Sequence, residues 1–359
     1  MAKISIIIPV YNVEKFLSKS LNSVICQTLK DIEIICIDDC SSDSSLKILE
    51  KYALKDSRFK IIKQIKNEGQ GVARNKALDL ATGEYIMFLD PDDWLEINAC
   101  EILYNEITKC DDDICIFNYK SCTLSKENER VEILITSERL KTFPKNCNGI
   151  SLSNFKELTI DFAAIWCQIY KKDFLYRINA RFTPTRTCED NPFFFNTLCN
   201  ANTVSVINIP LYNYRLRDDD SLPYYITNWK DVLYNKNLSY QIVRKTQNKI
   251  FYKMFIPYFW NSMADGHFGL LKKKDKRYIK RIYKELSNIA NFLNTECNMI
   301  EYKDLINYSK FKLYCNSKNY LHFRYKKFMQ YIFSIENSLE KTIIRILGIK
   351  FTIRRNIHE

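Results

Sequence analysis

Asp90-Pro91-Asp92-Asp93 places carboxylates at i, i+2 and i+3 in a tight turn. Two of them can converge on one hard divalent cation, with water and a diphosphate completing its shell, and a metal so held acts as a Lewis acid on a departing nucleoside diphosphate. The competing reading is an Asp-Pro-Asp turn in which Asp93 caps a helix starting at Trp94. A second acidic run, Asp38-Asp39-Cys40-Ser41-Ser42-Asp43, offers a carboxylate to a nucleobase N–H or a ribose hydroxyl, with Tyr11 as an aromatic face for the base. Helix capping suits Asp43, which leaves Asp39 as the binding candidate. Arg74, in the run from Asn67 to Asn75, falls on the first turns of a helix, where it can reach a base or a phosphate or lie on a solvated face. Glu189-Asp190 stands before Asn191-Pro192, so either acid can cap a helix beginning near Pro192 or serve as a base. A carboxylate in that role takes the proton of an attacking hydroxyl.

These residues need elements that bring them together. Lys3–Pro9 is a short isoleucine-rich run, as expected of a parallel strand buried on both faces. Phe16, Leu17, Leu21, Val24 and Ile25 recur at helical spacing, and Ile32–Ile37 is the next strand. A helix with Leu46, Leu49 and Ala53, a strand Phe59–Ile62, a helix from about Gln70 to Leu80 and a strand Tyr85–Leu89 continue the alternation. The pattern predicts an α/β layer fold with a mostly parallel sheet and right-handed crossovers. Ligands of such sheets sit at the carboxyl ends of the strands, which is where Pro9-Val10-Tyr11-Asn12, Asp38-Asp39, Asn67 and Asp90–Asp93 fall. No GxGxxG or GxxxxGK[ST] loop is present, and the chain has only 7 glycines, so a bound phosphate needs a metal to help neutralise it.

The chain's 359 residues, 46% hydrophobic and 27% charged, are enough for one elaborated domain or two, with a real core. The 13 cysteines are odd in number and include no CxxC pair, which suits buried thiols in a reducing compartment. Met1–Pro9 lacks the features of a signal peptide, and Asn191–Tyr214, the longest charge-free stretch, is broken by Pro192 and Pro210; the expectation is a cytoplasmic protein that does not span a membrane. Charge is uneven. Residues 1–224 hold 28 Lys+Arg against 32 Asp+Glu, a net of −4, and residues 225–359 hold 26 against 10, a net of +16. The basic region is expected to face a polyanion. Within it, Phe328, Tyr331, Ile332, Ile335, Leu339, Ile343 and Ile346 suggest an amphipathic helix from about 328 to 349, lying in a bilayer interface or packing internally. Basic residues beside an anionic leaflet contribute about 1 kcal/mol each.

The runs SIIIPVYNVEKFLSKSLNSVICQTLKDIEIICIDDCSSDSS and NEGQGVARNKALDLATGEYIMFLDPDDWL closely resemble the inverting family 2 glycosyltransferases with a GT-A fold, strongly over roughly residues 1–120 and more weakly over 121–217. The resemblance implies a Rossmann-like, mostly parallel sheet flanked by helices, with a catalytic domain over 1–224 and a mainly helical region over 225–359. It implies that Pro9, Tyr11, Asp39, Asn67 and Arg74 line a nucleotide pocket, and that Asp90 and Asp92 form the acidic pair touching ribose, diphosphate and a Mn²⁺ or Mg²⁺ ion. Asp190 then matches the catalytic base, with Glu189 orienting the base or the acceptor, and Arg215 or Arg217 stands near the diphosphate. Trp166 is expected either to stack on a sugar ring or to join the core. The chain has Cys40 where the family often has Gly, and Pro91 where it often has Ser or Ala. The QxxRW signature of processive synthases is absent, since Lys245 follows Gln241-Ile242-Val243-Arg244.

The implied function is transfer of a hexose from a UDP-sugar to a bacterial cell-surface glycan: lipooligosaccharide, capsule or a lipid-linked oligosaccharide. That would place the enzyme at the inner, anionic face of the cytoplasmic membrane. A sugar nucleotidyltransferase would need the missing Gly-rich loop. A nucleic-acid-binding protein would use the basic tail but leave the front carboxylates without a purpose, so no nucleic acid is expected.

Overall fold

The computed structural model describes residues 2–124, 131–134, 147–151, 164–216, 228–246, 333–337, 341–346 and 349–354. It divides into two compact units, Met1–Phe255 and Ile256–Glu359.

In the first unit β1 (Ile4–Val10), α1 (Glu14–Ile25), β2 (Ile32–Asp38), α2 (Ser45–Ala53), β3 (Phe59–Lys63), α3 (Gln70–Leu80) and β4 (Tyr85–Phe88) follow the expected alternation. A short β5 (Trp94–Leu95), α4 (Ala99–Lys109), the long β6 (Ile114–Leu124) and strands β7 (Val131–Leu134) and β8 (Cys147–Ser151) come next. The unit finishes with β9 (Gln168–Lys171), α5 (Lys172–Arg177), α6 (Asp190–Asn200), β10 (Thr203–Arg215) and α7 (Trp229–Lys245). The sheet runs β3-β2-β1-β4-β9-β6-β10-β5, with β7 on β6 and β8 on β10. β3, β2, β1 and β4 are parallel, and β6 is parallel to β10; β9 is inserted antiparallel to both β4 and β6.

β1 and β2 are buried along their whole length, which is why they read as unbroken apolar runs instead of alternating ones. Leu17, Leu21 and Val24 of α1 are fully buried against them, each contributing about 1.5–3 kcal/mol of apolar burial. The start of α1 is capped from the next loop. Ser41 Oγ, Ser45 Oγ and Asp43 Oδ2 accept from the backbone N–H groups of Asn12, Val13 and Glu14 at 3.0–3.1 Å. In return Glu14 Oε2 accepts from Ser44 N and Asn12 Oδ1 from Ser42 N, each at 2.8 Å. Asp43 Oδ1 also accepts from Ser45 N at 2.9 Å, so it caps both helices, and the two loops at the head of β1 and β2 form one polar unit. Cys40 within it adopts φ +63°, the left-handed conformation that costs an L residue roughly 1–2 kcal/mol and explains glycine as the usual occupant.

Three expectations change. No helix begins at Trp94; Trp94 and Leu95 instead pair antiparallel with Asn213 and Tyr212. The boundary after the first unit falls beyond α7, because Asn235 ties α7 to the 183–187 segment: it accepts from Thr183 Oγ1 at 2.7 Å and donates to Thr187 O at 2.8 Å. The amphipathic helix over 328–349 is also replaced. β11 (Phe333–Asn337), β12 (Lys341–Ile346) and β13 (Ile349–Arg354) form an antiparallel sheet over most of that stretch. β-branched residues crowd there, at Ile335, Thr342, Ile343, Ile344, Ile346, Ile349, Thr352 and Ile353, and they favour a pleated surface over a helix. Of the region expected to be mainly helical, the described parts are thus one helix and one sheet.

A buried carboxylate braces the amino end of the main sheet. Glu33 on β2 accepts from Ser5 Oγ at 2.5 Å, Lys60 Nζ at 2.6 Å, Thr82 N at 2.6 Å and Gly83 N at 2.9 Å. Burial works to raise its pKa, but the bonds from Lys60, Ser5, Thr82 and Gly83 outweigh it and hold the group at about 2. The folded value lies below the ordinary 4.5, so this stabilisation is complete above about pH 4.5 and is lost as pH falls toward 2. Glu33→Gln is expected to cost about 1–3 kcal/mol at neutral pH and to flatten the acid side of the stability curve. Urea midpoints across that range check it; an acid slope equal to wild type refutes the assignment.

Candidate active site

The polar clusters at the carboxyl ends of β1, β2, β3 and β4 fall at one end of the sheet. Tyr11, just past β1, is 47% exposed and keeps a ring face available for stacking. Asp39 is buried, and its carboxylate accepts from Glu68 N and Gly69 N at 2.7 Å each and from Gln64 Nε2. It fixes the loop that leads into α3, where Gly69 takes φ +93°, a conformation that favours glycine. Asn67 sits on that loop and is covered by Arg186, which donates to its side-chain oxygen and, at 2.9 Å, to its carbonyl oxygen. Arg186 was not singled out in the sequence; it meets Asn67 only because the segment before α6 crosses this loop. Pro9 lies within β1, opposite Ile37 of β2.

Arg74 does not lie on a solvated face. It is 3% exposed, with Nη2 donating to Asp90 Oδ1 and Nη1 to Glu189 Oε1, each at 2.8 Å. Its guanidinium also lies over the Phe182 ring, 5.4 Å from the centroid. Burial alone would lower its pKa, but Asp90, Glu189 and Asp190 outweigh that and keep it charged. Glu189 is 1% exposed. Burial and then the charge of Asp190 raise its pKa against the opposing pull of Arg74. Its Oε2 has no partner among the described residues, which favours the neutral acid. Glu189 therefore holds Arg74. Although it occupies the N-cap position of α6, its side chain makes no capping bond. Cys188, at φ +57°, turns the chain there, and Asp190 follows half-buried as the first residue of α6.

The approach of α6 to α3 depends on Gly71. A Cβ there would stand 2.5 Å from Thr183 O and 2.9 Å from Glu189 Cγ, so no side chain fits.

In the acidic turn the three carboxylates separate. Asp90 is 25% exposed at its side chain, and Asp92 is half-buried. Asp93 points inward: Tyr212 Oη donates to its Oδ2, and Arg215 N to its Oδ1, each at 2.7 Å. Burial and the neighbouring charges of Asp92 and Asp90 raise its pKa. Asp93 is thus a brace to β10 and caps no helix. Arg215 is buried. Its Nε donates to Asp92 O at 2.8 Å, and its guanidinium stacks by Phe16 and Trp94 at 4.8 and 5.1 Å. It supports the turn's backbone, while Arg217 lies outside the described residues. Trp166 stacks on Tyr214 and Tyr212, with centroids 5.2 and 4.5 Å away, and meets Tyr119 edge-on, so much of the ring is packed against the core.

Among the described residues no three His, Cys, Asp or Glu side chains gather as a metal site. The described residues offer the Asp90–Asp92 pair, which fits the way Mg²⁺-type ions are held by one or two carboxylates plus substrate phosphates. No helix among the described residues is long and apolar enough to cross a membrane.

The curled α/β sheet with acidic loops at its carboxyl ends defines a GT-A-type domain, and solved structures agree. Staphylococcus aureus TarS 1-349 in complex with UDP superposes with a TM-score of 0.67 at 20% identity, covering 98% of both chains. Residues 5–178 match the model of Glycosyl transferase family 2. Among curated relatives, the glycosyltransferase GlyA of Streptococcus pneumoniae is 34% identical over 233 residues, 64% of this chain and 33% of its own length. The poly(ribitol-phosphate) beta-glucosyltransferase of Bacillus spizizenii is 35% identical over 230 residues, 60% of this chain and likewise 33% of its own length. The chain spans only a third of each of these relatives.

Removing one partner of a buried ion cluster strands the others, at about 3–5 kcal/mol. Arg74→Met is expected to lose that much stability in urea, whereas the near-isosteric Glu189→Gln loses about 1 kcal/mol. Equal losses would mean that Glu189 is the charged member and that the cluster is held differently.

Proposed function

We propose that the chain is a metal-dependent, inverting glycosyltransferase that moves a hexose from a UDP-sugar to a hydroxyl of a bacterial cell-surface glycan. The observation that carries this reading is the Arg74 bridge. It joins the Asp90–Asp92 turn to the segment bearing Asp190, so the acidic pair and a candidate base lie at the same end of the sheet. The family match of residues 5–178 supports glycosyl transfer. The UDP complex of TarS and the β-glucosyl transfer named for the Bacillus spizizenii relative support the donor and the stereochemistry.

In this mechanism Tyr11 offers its ring to the base, and the loop 64–69 held by Asp39 forms the floor of the nucleotide site. Asp90 and Asp92 would hold Mn²⁺ or Mg²⁺, which when bound would neutralise charge on the departing diphosphate. Arg74 fixes Asp90 from behind. Asp190 takes the proton of the acceptor hydroxyl as it attacks, a contribution of typically 10²–10⁴-fold. Glu189 is a positioning residue. The acceptor is a glycan or glycolipid, and the +16 charge of residues 225–359 supports contact with an anionic carrier or membrane surface.

The test is release of nucleoside diphosphate from a panel of nucleotide sugars with Mn²⁺, Mg²⁺ or EDTA. One UDP-sugar is expected to be cleaved, only with metal, and not by Asp92→Ala. Asp190→Asn should keep UDP affinity and lose roughly 10²–10⁴-fold in turnover. Cleavage that persists in EDTA sinks the metal assignment, and full activity in Asp190→Asn sinks the base.

A further inference from the structure

Behind the acidic pair runs a line of polar groups that the mechanism above leaves unused. Lys236 of α7 is 5% exposed, and its Nζ donates to Asn191 Oδ1 at 2.8 Å. The same amide donates from Nδ2 to Asp190 Oδ1, also at 2.8 Å. Chemistry fixes the order of atoms. An ammonium has only donors and an ionised carboxylate only acceptors, so the amide between them satisfies both in one orientation alone. An ammonium on the carbonyl oxygen also polarises the amide and strengthens its N–H bond to the carboxylate.

Lys236 is not needed to dock α7. Asn235 does that, through Thr183, Thr185 and Thr187. Taking an ammonium out of water costs several kcal/mol, and burial pulls the pKa of Lys236 down against the opposing influence of Cys188 and Asp190. A methionine would fill the same space without that cost. We propose that Lys236 and Asn191 are positioning residues that lock the Asp190 carboxylate in the orientation its role as base requires. The proposal rests on the reading of Asp190 given above.

Asn191→Asp keeps the side chain's size and gives Lys236 a stronger partner, but puts a second carboxylate where Asp190 had a donor. Lys236→Met keeps the length and removes the ammonium. For both, UDP affinity with Mn²⁺, by calorimetry, should stay within about twofold, while kcat for UDP release from a UDP-hexose falls roughly 10- to 100-fold at unchanged KM. A tether serving only the fold would be satisfied equally by N191D, so wild-type kcat in that variant overturns the proposal, as does a loss of UDP affinity that matches the loss of kcat. The ¹⁵N ammonium signal of Lys236, assigned by its disappearance in K236M, gives a readout that needs no turnover. It should shift in both N191D and Asp190→Asn; an unmoved signal in both overturns the relay. Asp190→Asn separates the two levels: full turnover there fails the base itself, whereas a dead Asp190→Asn beside fully active K236M and N191D fails only the relay.

Discussion

A guanidinium closed off from water is stable only where negative charge and acceptors surround it, and Arg74 meets that condition with the carboxylate of Asp90 and an acceptor oxygen of Glu189, from separate parts of the chain. This constraint couples three elements. α3 carries the arginine, the turn after β4 carries Asp90, and the start of α6 carries Glu189. None can shift far without stranding a buried charge, so the end of the sheet is fixed by electrostatics as much as by packing. Gly71, one turn before Arg74 on α3, is the steric condition for the same contact, since it admits Thr183 and Glu189 against the helix.

Carboxylates in this unit divide by their surroundings. Glu33 and Asp39 are saturated by backbone and side-chain donors, so they organise the chain. Asp93 is turned inward onto Tyr212 and the backbone of Arg215, while Asp90 and Asp92 of the same turn stay partly exposed. Three acids within four residues thus do two jobs, and burial decides which does which. The third acid anchors the turn to β10, and β10 in turn carries Arg215, whose Nε returns to the Asp92 carbonyl.

β1 to β4 and their helices were legible in the sequence because strands buried on both faces leave continuous apolar runs, and α1 and α2 leave a clear helical stripe. The site was legible as residue types at strand ends, but not as roles. Arg74, Asp39 and Arg215 read as ligand contacts, and in the structure their side chains are hydrogen-bonded to protein partners that lie 16 to 123 residues away. Arg186 and Lys236 gave no local signal at all, since each matters only through a tertiary neighbour. The stripe over 328–349 misled for a different reason. Its apolar residues recur at helical spacing, but their β-branching favours the observed antiparallel strands.

The family match ends at residue 178, yet Asp190, Arg186, Asn191, Arg215 and Lys236 all lie beyond it. The division has a physical logic. The proposed nucleotide side is built from loops at the ends of consecutive parallel strands, where register and burial leave little freedom. The later part is anchored in two ways: β10 is a strand of the main sheet, paired with β6 and β5, while the segment that bears Asp190 meets α3 and β4 through the Arg74–Glu189 bridge, the Gly71 contact and Phe193 against Phe88. With β10 held in the sheet and the start of α6 held by the bridge, the acidic turn and Asp190 keep a fixed spacing, and Arg74 and Glu189 are the link that sets it.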